Sequence, residues 1–389
     1  MGHHIGSKES IVPLIDRLNR YPVGLPDSEK LREILGLLFE EREAYVASRF
    51  PLEEATLSEL CRLTKIDQEA LLPILETMAD KGLVMDLPYG GKTYYLLMPG
   101  LIGFFEFTFM KNRTDLPLEK IARLMTEYLF ENPHQGMARE FFGSRTPLTR
   151  SLVYEEHIPV SSEITTYENA REIIRQAGFG AVGLCYCRHK KEHLGETCRK
   201  GAPVEEICIS LGTAAKFMVR RGFAEPRTTE ELLAVLDSAR EQHLTHVTDN
   251  IRQKPSFICN CCSCCCELLA GVQAGYREGI AKTPYVAVLD AGSCSACGLC
   301  LEACNVAAIG DVEGEGGRTM VIDDTICLGC GACISSCRRQ ALSLGKREKR
   351  PLPPKTRQDL FVRILKEKRR LVPYLVSGVK KKVRRIFLP

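Results

Sequence analysis

Two copies of one cysteine motif are the feature of the sequence that points most directly to chemistry. Each copy has the spacing C-x2-C-x2-C-x3-C, in the segments CSACGLCLEAC and CLGCGACISSC. A tight turn with this spacing directs three thiolates to three corners of a cube, and soft sulfur ligands suit iron–sulfur clusters. We expect Gly298, Gly329 and Gly331 to let the backbone approach close enough to donate N–H groups to sulfide. The eight cysteines are Cys294, Cys297, Cys300, Cys304, Cys327, Cys330, Cys333 and Cys337.

The repeat, within residues 285–345, resembles the bacterial two-cluster ferredoxin family. In that family the fourth cysteine of each motif binds the other cluster. The resemblance therefore implies two [4Fe–4S] clusters with crossed ligation. One would take Cys294, Cys297, Cys300 and Cys337, and the other would take Cys327, Cys330, Cys333 and Cys304.

The residue after each fourth cysteine departs from the pattern of that family. The family usually has proline there, whereas this sequence has Asn305 and Arg338. Proline shapes the turn without binding iron, so we expect ligation to survive. Arg338 and Arg339 would raise the potential of a neighbouring cluster, because a positive charge stabilises the more negative reduced state.

Residues 166–270 hold ten further cysteines, six of them in the segment ICNCCSCCC. Thiolates at this density repel one another unless a metal neutralises them, which favours iron–sulfur clusters or zinc. Zinc typically requires two separated C-x2-C pairs, a pattern that does not fit here, so iron–sulfur is preferred and zinc is the alternative. The predicted metal ligands are Cys185, Cys187, Cys198, Cys208, Cys259, Cys261, Cys262, Cys265 and Cys266.

Two arrangements of these central thiols stay open. They could hold one or two further iron–sulfur clusters, or one cluster beside thiols that are free to exchange. Adjacent cysteines cannot all face one site, so some must support a ligand or serve another centre. Cys264, in the same segment, is not among the predicted ligands.

A wider resemblance covers most of residues 18–345. The segments NRYPVGLPDSEKL, CYCRHK and ICNCCSCCC are similar to those of a little-characterised group of iron–sulfur proteins from anaerobes. Those proteins join an N-terminal helical module and a cysteine-rich region to a two-cluster ferredoxin. The resemblance implies electron transfer in anaerobic metabolism and names no substrate.

These motifs require a fold that positions them, and the sequence predicts an α+β protein of several domains. The expected parts are an N-terminal extension (1–27), a winged-helix-like module (28–100), a helical linker region (101–165), a cysteine-rich iron–sulfur domain of α/β character (166–284), a ferredoxin-like domain with two [4Fe–4S] clusters (285–345) and a basic, amphipathic, helical tail (346–389). In the cysteine-rich part, AVGLCYCR is predicted to be a strand with Cys185 and Cys187 on one face.

The N-terminal module is predicted from helix caps at Ser28, Thr56 and Asp67, followed by a hairpin with the turn PYGGK. Its charge argues against nucleic acid, since residues 28–98 hold eight basic and thirteen acidic side chains. We therefore expect a docking module or a homodimer contact here.

The C-terminal tail has the opposite charge. Residues 346–389 carry sixteen Lys or Arg against three acidic residues, and the rest of the chain is net acidic. A basic amphipathic helix suits an anionic membrane surface or an acidic partner, while folding back on the acidic body and contact with RNA are the alternatives. The N-terminus MGHHIGSKES has no signal-peptide pattern, which predicts a cytoplasmic protein, peripheral on the inner face of the membrane if the tail binds lipid.

Together these features predict an iron–sulfur protein that passes single electrons between redox partner proteins. No flavin or nicotinamide motif is visible, because GFGAVG at residues 178–183 follows a helix and precedes a strand, the reverse of the dinucleotide fingerprint. No catalytic residue is predicted. The alternatives are a reductase that acts on a small molecule or disulfide at the central cysteines, and a redox-sensing regulator.

Overall fold

The computed structural model describes residues 9–158, 166–314, 317–349 and 352–371. Helices and strands are mixed along these ranges, which is the α+β class that the sequence predicts. None of the helices within these ranges combines the length and the apolarity that crossing a membrane would need.

Residues 11–97 form helices followed by a small antiparallel sheet. Its strands lie in the order β1-β3-β2, so β1 joins the two-stranded hairpin that the sequence predicts. The elements are α1 (Ile11–Leu18), α2 (Glu29–Leu38), α3 (Glu41–Ser48), β1 (Ala55–Thr56), α4 (Leu57–Thr64), α5 (Gln68–Asp80), β2 (Val84–Tyr89) and β3 (Lys92–Leu97).

The predicted helix caps and hairpin turn of this region are confirmed. The side chains of Ser28, Thr56 and Asp67 each accept a hydrogen bond from a backbone N–H in the first turn of the following helix. Gly90 and Gly91 connect β2 to β3 with φ of 57° and 73°. Two consecutive positive φ values match the twist of a tight hairpin, and glycine adopts them without strain.

Residues 101–142 pack into the same core as the N-terminal elements. Phe104 and Phe105 are fully buried, and they belong to one apolar cluster with Leu31 of α2 and Phe217 of the cysteine-rich region. This stretch, predicted as a linker, therefore contributes to a continuous core. Its helices are α6 (Phe105–Thr108), α7 (Leu118–Phe130) and α8 (Gly136–Phe142).

A six-stranded antiparallel sheet, in the order β4-β8-β9-β6-β5-β7, forms the frame of the cysteine-rich region. Helices α9 and α12 pack on the sheet through Ile173, Leu232 and Leu236. The elements are β4 (Thr149–Ser151), α9 (Ala170–Ala177), β5 (Gly180–Gly183), α10 (Tyr186–Glu192), β6 (Cys208–Leu211), α11 (Gly212–Arg220), β7 (Ala224–Arg227), α12 (Thr229–Glu241), β8 (Thr245–Asp249), β9 (Phe257–Cys261) and α13 (Glu267–Gln273).

The predicted strand AVGLCYCR is wrong in its second half. Strand β5 ends at Gly183, Cys185 precedes α10, and Cys187 lies inside that helix. The Cys185 N–H donates to the carbonyl of Val204, and the Cys185 carbonyl accepts from the N–H of His189, 3.0 Å away, which begins helical pairing. The two thiols are therefore positioned by the start of a helix and not by one face of a strand.

The two-cluster region consists of two pairs of antiparallel strands and two short helices. Its elements are β10 (Tyr285–Leu289), α14 (Leu299–Ala303), β11 (Ile309–Gly314), β12 (Gly317–Ile322), α15 (Ala332–Ser335) and β13 (Leu342–Lys346). Helices α14 and α15 occupy equivalent places in the two halves, since each holds the third cysteine of its motif.

The described part of the basic tail lies against the rest of the chain. Helix α16 (Arg357–Glu367) buries Leu360 and Ile364 against Ile251. Beyond it, Lys368 and Arg370 form ion pairs with Glu140. The rest of the predicted amphipathic tail, residues 372–389, lies outside the described residues.

Candidate metal centres

The first three cysteines of one motif and the fourth cysteine of the other line a single cavity. Its volume is about 280 Å³, and Met320, Arg338 and Arg339 contribute to its walls. The thiols in this cavity belong to Cys294, Cys297, Cys300 and Cys337. A space of this kind between four thiols fits an iron–sulfur cluster, in which bridging sulfides occupy the room between the ligands.

The other four thiols of the repeat also lie together. Cys304 interacts with Cys327, Cys330 and Cys333 although it belongs to the first motif. Burial raises the pKa of the Cys330 thiol to about 11. A buried thiol of this kind is deprotonated when a cation binds it, so these four side chains are a donor set that fits a metal cluster.

The backbone of each motif approaches its thiols in the same way. Gly298 and Gly331 have φ of 82° and 91°, as expected for turns that bring the chain close to a cluster. Ala308 N donates to the Cys304 Sγ, and Ala341 N donates to the Cys337 Sγ, each over 3.3 Å. Such N–H groups stabilise the thiolate form of a ligand.

Asn305 explains one departure from the ferredoxin pattern. Its side chain is buried, donates to the His243 carbonyl and to the hydroxyl of Thr245, and accepts from the N–H of Ser263. It thus joins the chain after Cys304 to the turn that carries the central cysteines, a contact that proline could not make.

The ten central cysteines separate into two groups. We call the first the four-thiol group, which consists of Cys198, Cys262, Cys264 and Cys265. All its Sγ atoms lie within 4.8 Å of one another. The Cys198 Sγ is 3.6 Å from that of Cys262 and 3.7 Å from that of Cys264, and the Cys264 and Cys265 Sγ atoms are 3.6 Å apart. Cys264, absent from the predicted ligands, is a full member.

The second group, called the six-thiol group, forms a chain of neighbouring thiols in the order Cys208, Cys259, Cys261, Cys266, Cys187 and Cys185. A hydrogen bond from the Cys208 thiol lowers the pKa of Cys259, and one from the Cys187 thiol lowers that of Cys266. Burial raises the pKa of Cys187. Within the group, the pKa is thus lowered at Cys259 and Cys266 and raised at the other four thiols.

Strand β9 and the turn after it assign the adjacent cysteines to different groups. Cys259 and Cys261 are two residues apart on β9 and so point to one face, where Cys259 meets Cys208 of the neighbouring strand β6. The chain then turns at Cys262 and enters α13 after Cys266. Three cysteines of this turn join Cys198 in the four-thiol group, while Cys266 belongs to the six-thiol group.

Two basic side chains lie between the cysteine groups. Arg188 is only 2% exposed; it interacts with Cys198 and Cys262 on one side and with Cys185 on the other. Lys200 donates to the carbonyl of Ala303 and faces thiols of both the four-thiol group and the ferredoxin repeat. Positive charge here offsets the repulsion between thiolates.

A buried polar network borders the six-thiol group. Lys190 and Glu267 form an ion pair that is almost completely buried, Lys190 also donates to Thr126, and the Tyr186 hydroxyl donates to Glu267. Sequence reasoning missed this network. The sequence signal that could have indicated it is proximity along the chain, since Tyr186 and Glu267 each stand next to a cysteine of the group.

One family model agrees with this description. The model of the 4Fe-4S dicluster domain matches residues 293–341, which contain the eight cysteines of the repeat. Neither a comparison with curated proteins nor one with solved structures gives a match. The match, together with the paired thiol sets, supports [4Fe–4S] clusters in this part of the chain and an iron–sulfur role for the protein.

Proposed function

We propose that this protein transfers single electrons between redox partner proteins through the clusters of its ferredoxin repeat. The observation that carries the proposal is the crossing of the two motifs, since the fourth cysteine of each motif, Cys304 or Cys337, lies with the first three cysteines of the other. Cys294, Cys297, Cys300 and Cys337 would hold one cluster, and Cys327, Cys330, Cys333 and Cys304 the other. A [4Fe–4S] cluster supplies reversible one-electron exchange.

The six-thiol group would hold a further iron–sulfur centre. Its thiols spread along β6, β9 and the starts of α10 and α13, and six donors exceed the four that a [4Fe–4S] cluster requires. Five of its cysteines belong to the same apolar cluster as Cys300, Cys327 and Cys333 of the ferredoxin repeat. This shared packing supports electron exchange between the two regions.

Contacts between the repeat and the cysteine-rich region fix the two parts against each other. The Tyr154 N–H donates to the Cys330 carbonyl, and the Thr245 hydroxyl lies 3.8 Å from the Cys330 Sγ. Because Asn305 also donates to the Thr245 hydroxyl, this residue of β8 contacts both motifs of the repeat. A fixed geometry of this kind is required of an electron path.

The winged-helix-like module would act in docking and not in nucleic-acid binding. Arg221, which follows α11, forms ion pairs with Glu76 and Asp80 of α5 and with Asp86 of β2. Burial alone would raise the pKa of Asp86, but hydrogen bonds from Arg221 and Arg220 hold it below its ordinary value. The helix that would enter a DNA groove is thus acidic and already bound to the cysteine-rich region, which disfavours a regulator.

The acidic body and the basic tail also indicate which partners and which location suit the protein. The acidic body suits a basic redox partner, and a homodimer contact through the N-terminal module stays a proposal. We place the protein in the cytoplasm, with the basic residues at the end of the tail available to an anionic membrane surface or an acidic partner.

A reductive titration tests the proposed function. Anaerobically purified protein should contain at least about eight irons per chain, four for each cubane, and about twelve if the six-thiol group holds another cubane. Dithionite should bleach the visible absorption reversibly and produce electron paramagnetic resonance signals of reduced clusters. A visible spectrum that dithionite leaves unchanged would contradict electron transfer.

A further inference from the structure

We propose that the four-thiol group binds a single tetrahedral metal ion of the zinc type, separate from the iron–sulfur clusters. Among the described residues, this is the only set of three or more candidate ligands whose donor atoms all lie within 4.8 Å of one another. A metal–sulfur bond of about 2.3 Å places neighbouring corners of a tetrahedron about 3.8 Å apart. The Sγ–Sγ distances of 3.6 to 3.7 Å match that edge.

The ferredoxin repeat provides the contrast that separates one ion from a cluster. Its thiols surround a cavity of about 280 Å³. Thiols in mutual contact, as in the four-thiol group, leave no room between them for the four iron atoms and four sulfides of a cubane. One ion at their centre requires no such room.

The charges around the group fit the same assignment. Four thiolates around one divalent ion leave two negative charges in excess. Arg188 interacts with Cys198 and Cys262, and Lys200 faces Cys262 and Cys264, so two cations oppose this negative charge. Since Arg188 is buried and donates to the carbonyls of Pro203 and Asn260, its position is fixed by the fold and does not depend on the thiols.

The position of the ligands indicates what the ion does. Cys198 lies on the irregular loop between α10 and β6, and the other three ligands lie on the turn between β9 and α13. Ser263 in that turn donates to Asn305 of the ferredoxin repeat. One ion therefore closes a loop of the cysteine-rich region onto the turn that contacts the end of the first motif, next to Cys304, and its role is structural.

The test compares metal content in the full chain, purified anaerobically, between wild type and Cys264→Ala. Cys264 belongs to the four-thiol group alone, and Cys61→Ala is the matched control, since Cys61 lies on α4 of the N-terminal region and is a member of none of the cysteine groups. We expect Cys264→Ala to lose one metal ion per chain without any change in acid-labile sulfide. Loss of about four irons and four sulfides together would overturn the proposal and assign a cubane.

X-ray absorption of the wild-type protein keeps the proposal testable if Cys264→Ala fails to fold. At the zinc edge we expect four sulfur neighbours at about 2.3 Å and no second metal nearby. Iron in place of zinc, with four sulfurs and no metal neighbour, would still support a single-ion site. Wild-type protein with neither zinc nor a mononuclear iron would overturn it. These outcomes are independent of the electron-transfer proposal, which the dithionite titration decides.

Discussion

In the ferredoxin repeat, four thiols from two distant segments line a cavity of about 280 Å³, whereas in the turn at residues 262–265 three thiols lie in contact with one another and with Cys198. The first arrangement separates its cysteines by two or three residues and uses left-handed backbone between them. The second places cysteines next to each other, so the turn itself brings the sulfurs together. Spacing in the sequence thus sets how much room the ligands leave for inorganic atoms, and with it the kind of metal centre.

We expect the largest effect from a substitution in a backbone turn that shapes the ferredoxin repeat around its clusters. Gly329 has φ of 71°, and a Cβ there would lie 2.1 Å from the carbonyl oxygen of Tyr285. Gly329→Ala should therefore displace the motif of Cys327 and Cys330 and destabilise it by ~3 kcal/mol, because left-handed strain adds to the clash. We expect the iron content to fall by about four per chain while any zinc is retained.

Ala296 is the matched control for Gly329, since it holds the equivalent position of the first motif with φ of 52°. Ala296→Gly relieves strain, so iron content should stay at the wild-type value. Equal iron contents in Gly329→Ala and the wild type would show that the cavity does not depend on this backbone turn.

An intermediate effect is expected where the two cysteine regions meet. Asn305→Ala removes the side chain that bonds to Ser263, His243 and Thr245 and leaves these buried groups without that partner. An unsatisfied buried polar group costs about 1–3 kcal/mol, so we expect a loss of about 2 kcal/mol in the free energy of unfolding. Anaerobic denaturant titration measures it.

Arg338 provides the control, because it follows the fourth cysteine of the other motif and is exposed. Arg338→Ala should change the free energy of unfolding by less than about 0.5 kcal/mol. If the two variants lose equal stability, Asn305 does not connect the regions in the way proposed.

The same comparison explains how far sequence reasoning reached. The ferredoxin repeat could be predicted because its cysteine spacing recurs and matches a known pattern, and the caps at Ser28, Thr56 and Asp67 follow from local hydrogen bonding alone. The sorting of the central thiols could not be predicted, because it depends on where β9 ends and on which loop delivers Cys198. The periodicity of apolar residues in the sequence shows neither where β9 ends nor which loop brings Cys198 to the other thiols.

One local prediction failed for a related reason. AVGLCYCR gives a strand only up to Gly183, because a tertiary hydrogen bond to Val204 directs Cys185 into a helix. Such long-range pairing overrides alternation in the sequence.

The smallest effect is expected on the cluster potentials, when a positive charge between the cysteine-rich region and the ferredoxin repeat is removed. Lys200 is partly buried and faces Cys304 and Cys330 as well as thiols of the four-thiol group, whereas Arg338 is exposed and acts on Cys297. Removing a cation destabilises the more negative reduced state, so Lys200→Met should lower the potential of the cluster at Cys304 and Cys330 by tens of millivolts. Arg338→Met should lower that of the other cluster by less, since solvent and salt screen an exposed charge.

Potentiometric titration with electron paramagnetic resonance separates the two cluster signals and measures both shifts. If the shift in cluster potential depends on ionic strength for Arg338→Met but not for Lys200→Met, the difference in burial between the two side chains is supported. A shift of both signals by the same amount in either variant would mean that each charge acts on the repeat as a whole. In that event the position of Lys200 between the cysteine regions would have no selective effect on the nearer cluster.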